Sequence, residues 1–161
     1  MKKRYAFLLF IAISILLLIG YNRYFYSFQA LNNNAVIFSG PTKSPNGEYN
    51  ASAYYIPYGG AAGGVLYLVE VEESQTGEKK TIYSSNHKDI FSMNWKSAEV
   101  LKIKNESPEY NDHRNIELNV KSDIYEESGA ACRSLLLKDK FENCYKADDI
   151  QVPFILKMIG F

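Results

Sequence analysis

Few chemically reactive residues occur in this sequence of 161 residues, which contains two cysteines, two histidines and one tryptophan. The redox-active C-x-x-C motif and the G-x-S-x-G motif of nucleophilic serines are both absent. The histidines, His87 and His113, lie in polar segments that we interpret as surface loops. A zinc site needs three or four ligands, and neither histidine has such neighbours. The sequence therefore indicates no catalytic residue, no metal site and no cofactor.

A phosphate-binding loop is also excluded, although Pro57–Gly64 (PYGGAAGG) is rich in glycine. A P-loop requires Lys-Ser/Thr directly after its last glycine, whereas Val65-Leu66 follow here. A dinucleotide fingerprint requires a helix after the glycines, and the residues after Gly64 have the pattern of a strand. We interpret Gly59–Gly64 as the connection of a hairpin.

Acidic residues are missing from the first 30 positions, which carry Lys2, Lys3, Arg4 and Arg23. The rest of the chain holds 14 basic and 18 acidic side chains, so that it is weakly acidic. Nucleic-acid affinity depends mainly on neutralising phosphates, and such a domain has no electrostatic reason to bind nucleic acid.

A long apolar run, Tyr5–Gly20 (YAFLLFIAISILLLIG), follows the basic start and carries no charge. Its 16 residues would span about 24 Å as a helix, a little less than a hydrocarbon core of about 30 Å. The basic residues before it predict a cytoplasmic N-terminus, and hence an extracytoplasmic domain on a single-pass anchor in the plasma membrane. Five aromatic residues then suit the interfacial belt of a bilayer: Tyr21, Tyr24, Phe25, Tyr26 and Phe28.

Two other interpretations of the apolar run are a cleaved signal peptide and a buried core helix. Cleavage needs a pair of small residues, and the stretch after Gly20 offers no clean small-x-small pair. No cysteine lies there, which excludes a lipoprotein anchor. The sequence favours an uncleaved signal anchor.

Short apolar runs separated by turn signals fill the rest of the chain. Ser44-Pro45-Asn46-Gly47 and Gln75-Thr76-Gly77-Glu78 have the composition of tight turns. Turns every eight to twelve residues predict a mainly-β antiparallel meander, with room for a short C-terminal helix. The predicted strands are Ala35–Ser39, Glu48–Ile56, Val65–Glu72, Lys80–Ser84, Ile90–Trp95, Val100–Lys104 and Ile116–Val120, with a polar loop at Asn105–Asn115. The predicted core is Tyr49, Tyr55, Leu66, Leu68, Ile82, Phe91, Trp95 and Leu101.

Four segments follow from this pattern. Residues 1–28 hold the cytoplasmic start, the anchor and the aromatic belt, and residues 29–35 form a linker. Residues 36–126 form the antiparallel β domain. Residues 127–161 form a C-terminal extension, in which Val152–Phe161 is too short to span a bilayer and is expected to pack on the sheet.

The extension carries both cysteines, Cys132 and Cys144. On one straight helix they would lie about 18 Å apart, too far for a disulfide. A hairpin turning at Leu137–Asp139 would place them opposite each other, so an oxidising compartment predicts a disulfide across such a hairpin. The alternative is two reduced thiols with separate packing roles.

Two acidic clusters, Glu70–Glu73 and Glu126–Glu127, contain enough carboxylates for general acid and base work of the glycosidase type. Because Glu70, Glu72, Glu73, Glu126 and Glu127 are interleaved with strand and turn positions, we interpret them as solvated faces.

The sequence resembles a domain-of-unknown-function family of small membrane-anchored bacterial proteins. The resemblance lies in Ser44–Ala53 (SPNGEYNASA), the Gly59-Gly60-Ala61 step, Lys80–Tyr83 (KTIY), and Trp95 with Val100. It covers roughly residues 40–126 and ends before the cysteine-bearing tail. It implies an N-terminal anchor and a β domain, but no activity.

Two function classes follow. One is a non-catalytic binding or accessory module, whose partners are the bilayer and an unknown protein or component of the cell envelope. The other is an envelope-acting enzyme that uses carboxylates brought together by the fold. A pocket with two close carboxylates, one in an apolar setting, would favour the enzyme. A large exposed apolar patch would favour the binding module.

Overall fold

A long helix precedes ten strands in the parts of the chain that the computed structural model describes, which are residues 2–31, 33–60, 63–86, 90–107 and 112–151. Helix α1 spans Lys2–Tyr24, and a 3-10 helix (Ala131–Arg133) and helix α2 (Ala147–Gln151) lie near the other end. The strands are β1 (Val36–Lys43), β2 (Tyr49–Tyr58), β3 (Gly64–Glu73), β4 (Lys79–Ser85), β5 (Ile90–Trp95), β6 (Val100–Ser107), β7 (Asp112–His113), β8 (Ile116–Asn119), β9 (Asp123–Glu126) and β10 (Asn143–Tyr145).

Helix α1 is long and apolar enough to cross a membrane. Its 23 residues extend about 35 Å, and the window Phe7–Tyr24 has a mean hydropathy of 1.8 with no part of it buried. The predicted run Tyr5–Gly20 lies wholly inside this helix, which continues through one more aromatic turn. A signal sequence would satisfy the same criteria of length and hydropathy. The helix is therefore a candidate membrane span.

The predicted turn at Ser44–Gly47 joins β1 to β2, and its side chains explain why it forms there. The Ser44 hydroxyl donates to Asn46 Oδ1 (2.8 Å) and accepts from the Tyr49 amide (3.0 Å). The Gly47 amide donates to the Ser44 carbonyl (2.9 Å), and Gly47 has a φ of +75°, which glycine adopts without strain. This turn fixes the register of the first hairpin.

Two sheets pack against each other and enclose the main core. The larger sheet has the order β1-β2-β3-β4-β9-β10, and the smaller has β5-β6-β7 with β8 also paired to β6. Strands β1 to β4 pair antiparallel with one another, as do β5 to β8. The structure therefore confirms a mainly-β fold with antiparallel sheets, an apolar N-terminal helix and a short C-terminal helix.

The last two strands differ from the predicted meander, because β9 pairs parallel with β4 and β10 pairs parallel with β9. After β4 the chain leaves to build the whole second sheet, and it returns to the first sheet beside β4. Parallel neighbours require such a long crossover, whereas a meander uses only tight turns. As a result β10, in the predicted extension, is part of the same sheet as β1 to β4.

The predicted polar loop Asn105–Asn115 is also partly wrong. Strand β6 continues through Asn105 to Ser107, and β7 pairs with its end, with Glu106 opposite His113. Asn105 and Ser107 are buried, and both belong to the strand face that carries Leu101 and Ile103. Polar residues such as these are typical of loops, which explains the prediction. On a buried strand face they are stable because they form hydrogen bonds with other parts of the fold.

Half of the predicted core residues are buried. Tyr49, Ile82 and Leu101 lie in the main core, whereas Leu68 is buried on the opposite face of the larger sheet, since it alternates with Val69. Phe91 and Trp95 are half-buried against the main core, and Tyr55 and Leu66 are half-buried. The largest core side chains that the prediction omitted are Tyr83, Tyr125, Ile56, Ile103, Leu118 and Ile124.

The outer face of the larger sheet is covered by the segment after α1 and by residues 127–142. Ile124, Ala131 and Leu137 form a second buried cluster, against which Tyr26 and Phe28 pack. Tyr26 and Phe28 were predicted to lie in the aromatic belt of the membrane. In the structure the chain leaves the helix at Tyr24 and turns onto the sheet, and both side chains are half-buried against this cluster. Their place at a membrane interface stays a prediction.

Cys132 and Cys144 are joined in the structure, with an Sγ–Sγ distance of 2.02 Å and a Cα–Cα distance of 5.3 Å. The hairpin expected between them is absent from the described residues 127–151. Cys132 lies in the 3-10 helix, residues 135–140 form successive turns, and Cys144 lies in β10. In a hairpin, the chain after the turn would pair with the segment just before the turn. Here it pairs with β9 instead, as the parallel strand β10. The terminal segment Val152–Phe161 lies outside the described residues.

Trp95→Ala should lower the free energy of unfolding by about 2 kcal/mol, less than the 3–5 kcal/mol expected for a fully buried tryptophan, because this ring is half-buried. The ring stacks on Tyr49 (6.2 Å between centroids), and its Nε1 donates to the Thr42 carbonyl (2.9 Å). Urea titration of the full chain in detergent micelles would measure the loss. The control Trp95→Phe keeps the ring contact and should lose only about 1 kcal/mol, since it removes one hydrogen bond. An unchanged midpoint for Trp95→Ala would contradict this role.

Candidate functional site

A buried polar network connects the two sheets at the ends of β4 and β6; it consists of Tyr83, Asn105, Arg114 and Glu127. Asn105 Nδ2 donates to the Tyr83 hydroxyl (2.9 Å), which is 3.4 Å from the Arg114 carbonyl and donates to it. Arg114 Nε donates to Glu127 Oε1 at 2.5 Å. The two side chains of this ion pair are only 7% and 13% exposed. The network thus joins strands β4 and β6 to the segments that follow β7 and β9.

Glu127 is the centre of the network because both of its carboxylate oxygens accept hydrogen bonds. Oε2 accepts from the Ser85 hydroxyl (3.0 Å) and from the Asn86 amide (2.6 Å). Burial raises the pKa of Glu127, but the hydrogen bonds from Asn86, Arg114 and Ser85, together with the Arg114 charge, outweigh it and lower the pKa below the usual value. The carboxylate is therefore ionised at neutral pH and holds a buried arginine.

Two tyrosines lie beside the network with stacked rings, Tyr83 and Tyr125, whose centroids are 4.9 Å apart. Burial raises the pKa of both hydroxyls, and for Tyr83 the hydrogen bonds from Asn105 and Ser85 only partly offset it. Both hydroxyls stay protonated at neutral pH. A protonated phenol beside a neutralised ion pair supplies no base or nucleophile, so this arrangement suits a structural role.

Two buried polar atoms have no hydrogen-bond partner among the described residues, Tyr125 Oη and His113 Nδ1. Tyr125 is completely buried, and its hydroxyl has no access to solvent. His113 was predicted to be a surface histidine of a loop. It lies instead in β7 and is half-buried, because β7 pairs with the end of β6. His87 lies outside the described residues.

The acidic clusters divide into two groups. Glu72 pairs with Lys79 (3.4 Å) and both side chains are exposed, as expected for a solvated face. Glu70 pairs with the same lysine (3.6 Å), but its side chain is only 14% exposed. For Glu126 and Glu127 that expectation is wrong. Glu126 is buried, and its carboxylate accepts hydrogen bonds from the Ser128 hydroxyl (2.8 Å) and from the amides of Ala130 and Ala131 at the start of the 3-10 helix. Unpaired backbone amides at a helix start attract a carboxylate, which explains why Glu126 is buried there.

A cleft of about 300 Å³ at the other end of the sandwich contains Glu73 and Glu78 with Lys80 and Lys121. Glu73 accepts a hydrogen bond from the Thr76 hydroxyl (2.6 Å), as part of the predicted turn, and Glu78 is exposed. Burial lowers the pKa of Lys80, whose Nζ lies 5.7 Å from the centroid of the Phe141 ring. Neither carboxylate has the apolar setting that would make it a general acid.

Exposed apolar side chains of the β domain occur along two edge strands. Strand β1 ends the larger sheet and β5 ends the smaller one, and they meet where Phe38 packs on Phe91 (4.9 Å between centroids). Ile37 and Ile90, on these strands, are 52% and 54% exposed, and Val36 is exposed too. Phe38 and Phe91 face the core, so by strand alternation Ile37 points outward on the larger sheet and Ile90 points outward on the smaller one, on either side of this contact. We use the name edge surface for these exposed residues of the two edge strands, Val36, Ile37 and Ile90. Among the described residues no strand pairs with the outer edge of β1.

The glycine-rich segment connects β2 to β3, as predicted. Tyr58 pairs with Gly64, and the Gly63 amide donates to the Gly60 carbonyl (3.1 Å). A strand follows the last glycine, so no helix N-terminus is available there for a phosphate group. Residues 61 and 62 lie outside the described residues.

The edge surface and the Arg114–Glu127 pair were not found from the sequence. Ile37 and Ile90 occur in ordinary strand patterns, and their exposure depends on which strands become edges. Arg114 lies in a polar stretch whose burial the local pattern does not indicate. Within the described residues no group of three or more histidine, cysteine, aspartate or glutamate side chains could hold a metal ion.

Comparison with known protein families gives a match. The model of a family of unknown function (DUF5412) matches residues 2–128, more than half of the chain. This agrees with the resemblance found in the sequence, and the match includes α1, the edge surface and the polar network. Cys132 and Cys144 lie beyond it. No curated protein matches, and no solved structure does.

Proposed function

This chain belongs to the DUF5412 family of unknown function, and from that premise we propose that it is a single-pass membrane protein whose β domain lies on the outer side of the plasma membrane and binds a protein or another component of the cell envelope. The proposal is of a non-catalytic binding or accessory module. The observation that carries it is α1, an apolar helix with no part of Phe7–Tyr24 buried against the rest of the chain.

The distribution of charge supports the outer location. Lys2, Lys3 and Arg4 precede the apolar segment, and positive residues are retained on the cytoplasmic side of a membrane. The bond between Cys132 and Cys144 is compatible with an oxidising compartment outside the cytoplasm.

The edge surface supports the binding role. Val36 and Ile37 expose apolar side chains on β1, whose outer edge pairs with no strand among the described residues, and Ile90 does so on the edge strand β5. Extended segments of other proteins bind such edge strands by adding a strand. The alternative, an envelope-acting enzyme that uses carboxylates, would require an acid in an apolar setting. Glu73 and Glu78 share a cleft with Lys80 and Lys121 in which Glu78 is exposed and Glu73 is half-buried, whereas Glu127 is neutralised by Arg114.

Photo-crosslinking in living cells tests the binding role. A benzophenone amino acid at position 37 or 90 of the full chain should give a discrete crosslinked product with an envelope component. The control is the same amino acid at Gln75, an exposed position in the turn between β3 and β4. Products of equal yield at all three positions, or none at 37 and 90, would contradict binding through the edge surface.

A further inference from the structure

Two leucines next to the end of α1 are exposed, although the residues on either side of them are buried. In the segment 134–137, Leu137 is buried against Ile124, whereas Leu135 and Leu136 are 54% and 49% exposed. We call Leu135 and Leu136 the leucine pair. Adjacent exposed leucines on a fixed segment form an apolar surface that a partner can cover.

The leucine pair is attached directly to the last residues of the helix. The Leu135 amide donates to the carbonyl of Tyr24 (2.8 Å), and the Ser134 hydroxyl donates to the carbonyl of Tyr26 (2.5 Å). Leu135 also lines an open groove together with helix residues that include Leu17 and Tyr21. Since these residues belong to the apolar window Phe7–Tyr24, Leu135 lies beside the part of the helix that a bilayer would enclose.

The fold holds this segment in place from both sides. Cys132, two residues before Ser134, is bonded to Cys144 of β10. The Glu126 carboxylate accepts hydrogen bonds from the amides that begin the preceding 3-10 helix. The leucine pair is thus presented by a braced turn, so that little conformational entropy is lost when a partner covers it.

The charges around the leucine pair suit the headgroup region of a bilayer. Arg133, Lys138 and Lys140 flank the pair and are exposed, as is Arg23 in the last turn of α1, with Asp139 as the acid between the two lysines. Basic side chains beside exposed leucines are typical of segments that lie at the boundary between headgroups and acyl chains.

From the continuity of this surface with α1 we propose that the leucine pair is a second membrane contact. Leu135 and Leu136 insert into the boundary of the same bilayer that α1 crosses, on the side of the β domain, and hold the domain at a fixed orientation to the membrane. This inference rests on the proposed anchoring by α1.

Depth-dependent fluorescence quenching tests the inference on the full chain in phospholipid vesicles. Trp95→Phe removes the only native tryptophan, and Leu136→Trp then places a single reporter in the leucine pair. A second variant, Leu135→Trp, gives an independent reporter. The matched control is Gln75→Trp in the exposed turn between β3 and β4. Ser84, which forms a hydrogen bond with the Tyr26 side chain, lies near the other end of β4, about 20 Å from this turn.

We expect lipids brominated along the acyl chain to remove about half of the emission at position 136 or 135 and almost none at position 75. If the protein floats with the vesicles but the emission at positions 136 and 135 is not quenched, this inference is overturned and the anchoring by α1 is not. Protein that fails to float would instead overturn the anchoring. A blue shift without quenching that disappears on dilution of protein in lipid would show that a second copy of the chain covers the pair, and would also overturn the inference.

Discussion

Glu127→Gln should lower the free energy of unfolding of the β domain by about 3 kcal/mol, because it leaves the buried Arg114 charge without its carboxylate. The effect falls at the lower end of the range for a broken buried ion pair, since the glutamine oxygen still accepts from Ser85 or Asn86. Urea titration of the full chain in detergent micelles, followed by tryptophan emission, would measure it.

The matched control is Glu117→Gln, which removes an exposed ion pair with Lys96 (2.6 Å). Both partners of that pair are well exposed, so its loss should cost at most about 1 kcal/mol. Equal effects of the two substitutions would contradict the structural role of the network. The double variant Arg114→Met/Glu127→Gln should lose less than the sum of its single variants, because the two side chains contact each other.

The same carboxylate gives a pH dependence with a definite sign. The pKa of Glu127 is lower in the folded protein than its ordinary value of 4.5, so its contribution to stability is fully present above that pH. The contribution is lost as the pH falls below 4.5 and through the lower folded pKa. The wild type should therefore lose more stability on acidification than Glu127→Gln does. Parallel pH profiles of the two proteins would show that Glu127 is not held ionised by the fold.

Replacing both cysteines, Cys132→Ser/Cys144→Ser, should destabilise the domain by roughly 3 kcal/mol. The bond closes a loop with a sequence separation of 12, and opening it returns conformational freedom to the unfolded chain. Because β9 is the one strand with which β10 pairs among the described residues, the loosening should be confined to residues 127–151. Hydrogen exchange should accelerate at β10 and in the turns at 135–140, and stay unchanged in β2, β3 and β6.

Reductant supplies the control for this prediction, since it should reproduce the effect in the wild type and do nothing further to the serine variant. Alkylation of protein purified without reductant, read by intact mass, checks the bond itself. Two alkylated cysteines in that preparation would refute it. Faster exchange throughout β2 and β3 after reduction would show that the extension supports the whole sheet.

Features fixed by neighbouring residues were predictable from the sequence. The turn at Ser44–Gly47 depends on the Ser44 and Asn46 side chains and on the conformational freedom of Gly47, all within a few residues. The apolar run of α1 is likewise visible as composition. The strands of the first hairpins were correct to within a few residues for the same reason.

Features fixed by distant parts of the chain were not predictable. The parallel placement of β9 and β10 depends on where the chain returns after building the second sheet. Asn105 is of a residue type typical of loops, and only the fold brings the Tyr83 hydroxyl within 2.9 Å of its side chain. In the sequence Glu127 is part of an acidic cluster, and only the fold buries Arg114 beside it. Tyr26 packs against Ala131 and Leu137, a contact that no local pattern indicates. In each case the partner is remote in sequence.

Alkaline phosphatase fused after Phe161, assayed in membranes washed with alkaline carbonate, tests the anchoring and the outer location of the domain together. The enzyme is active only outside the cytoplasm, and the wash releases proteins that no helix holds in the bilayer. We expect high activity that stays in the washed membrane pellet. Activity in the soluble fraction would mean that α1 is cleaved or does not span, and an inactive fusion of normal abundance in the pellet would place the domain in the cytoplasm. Either result would contradict the proposed function.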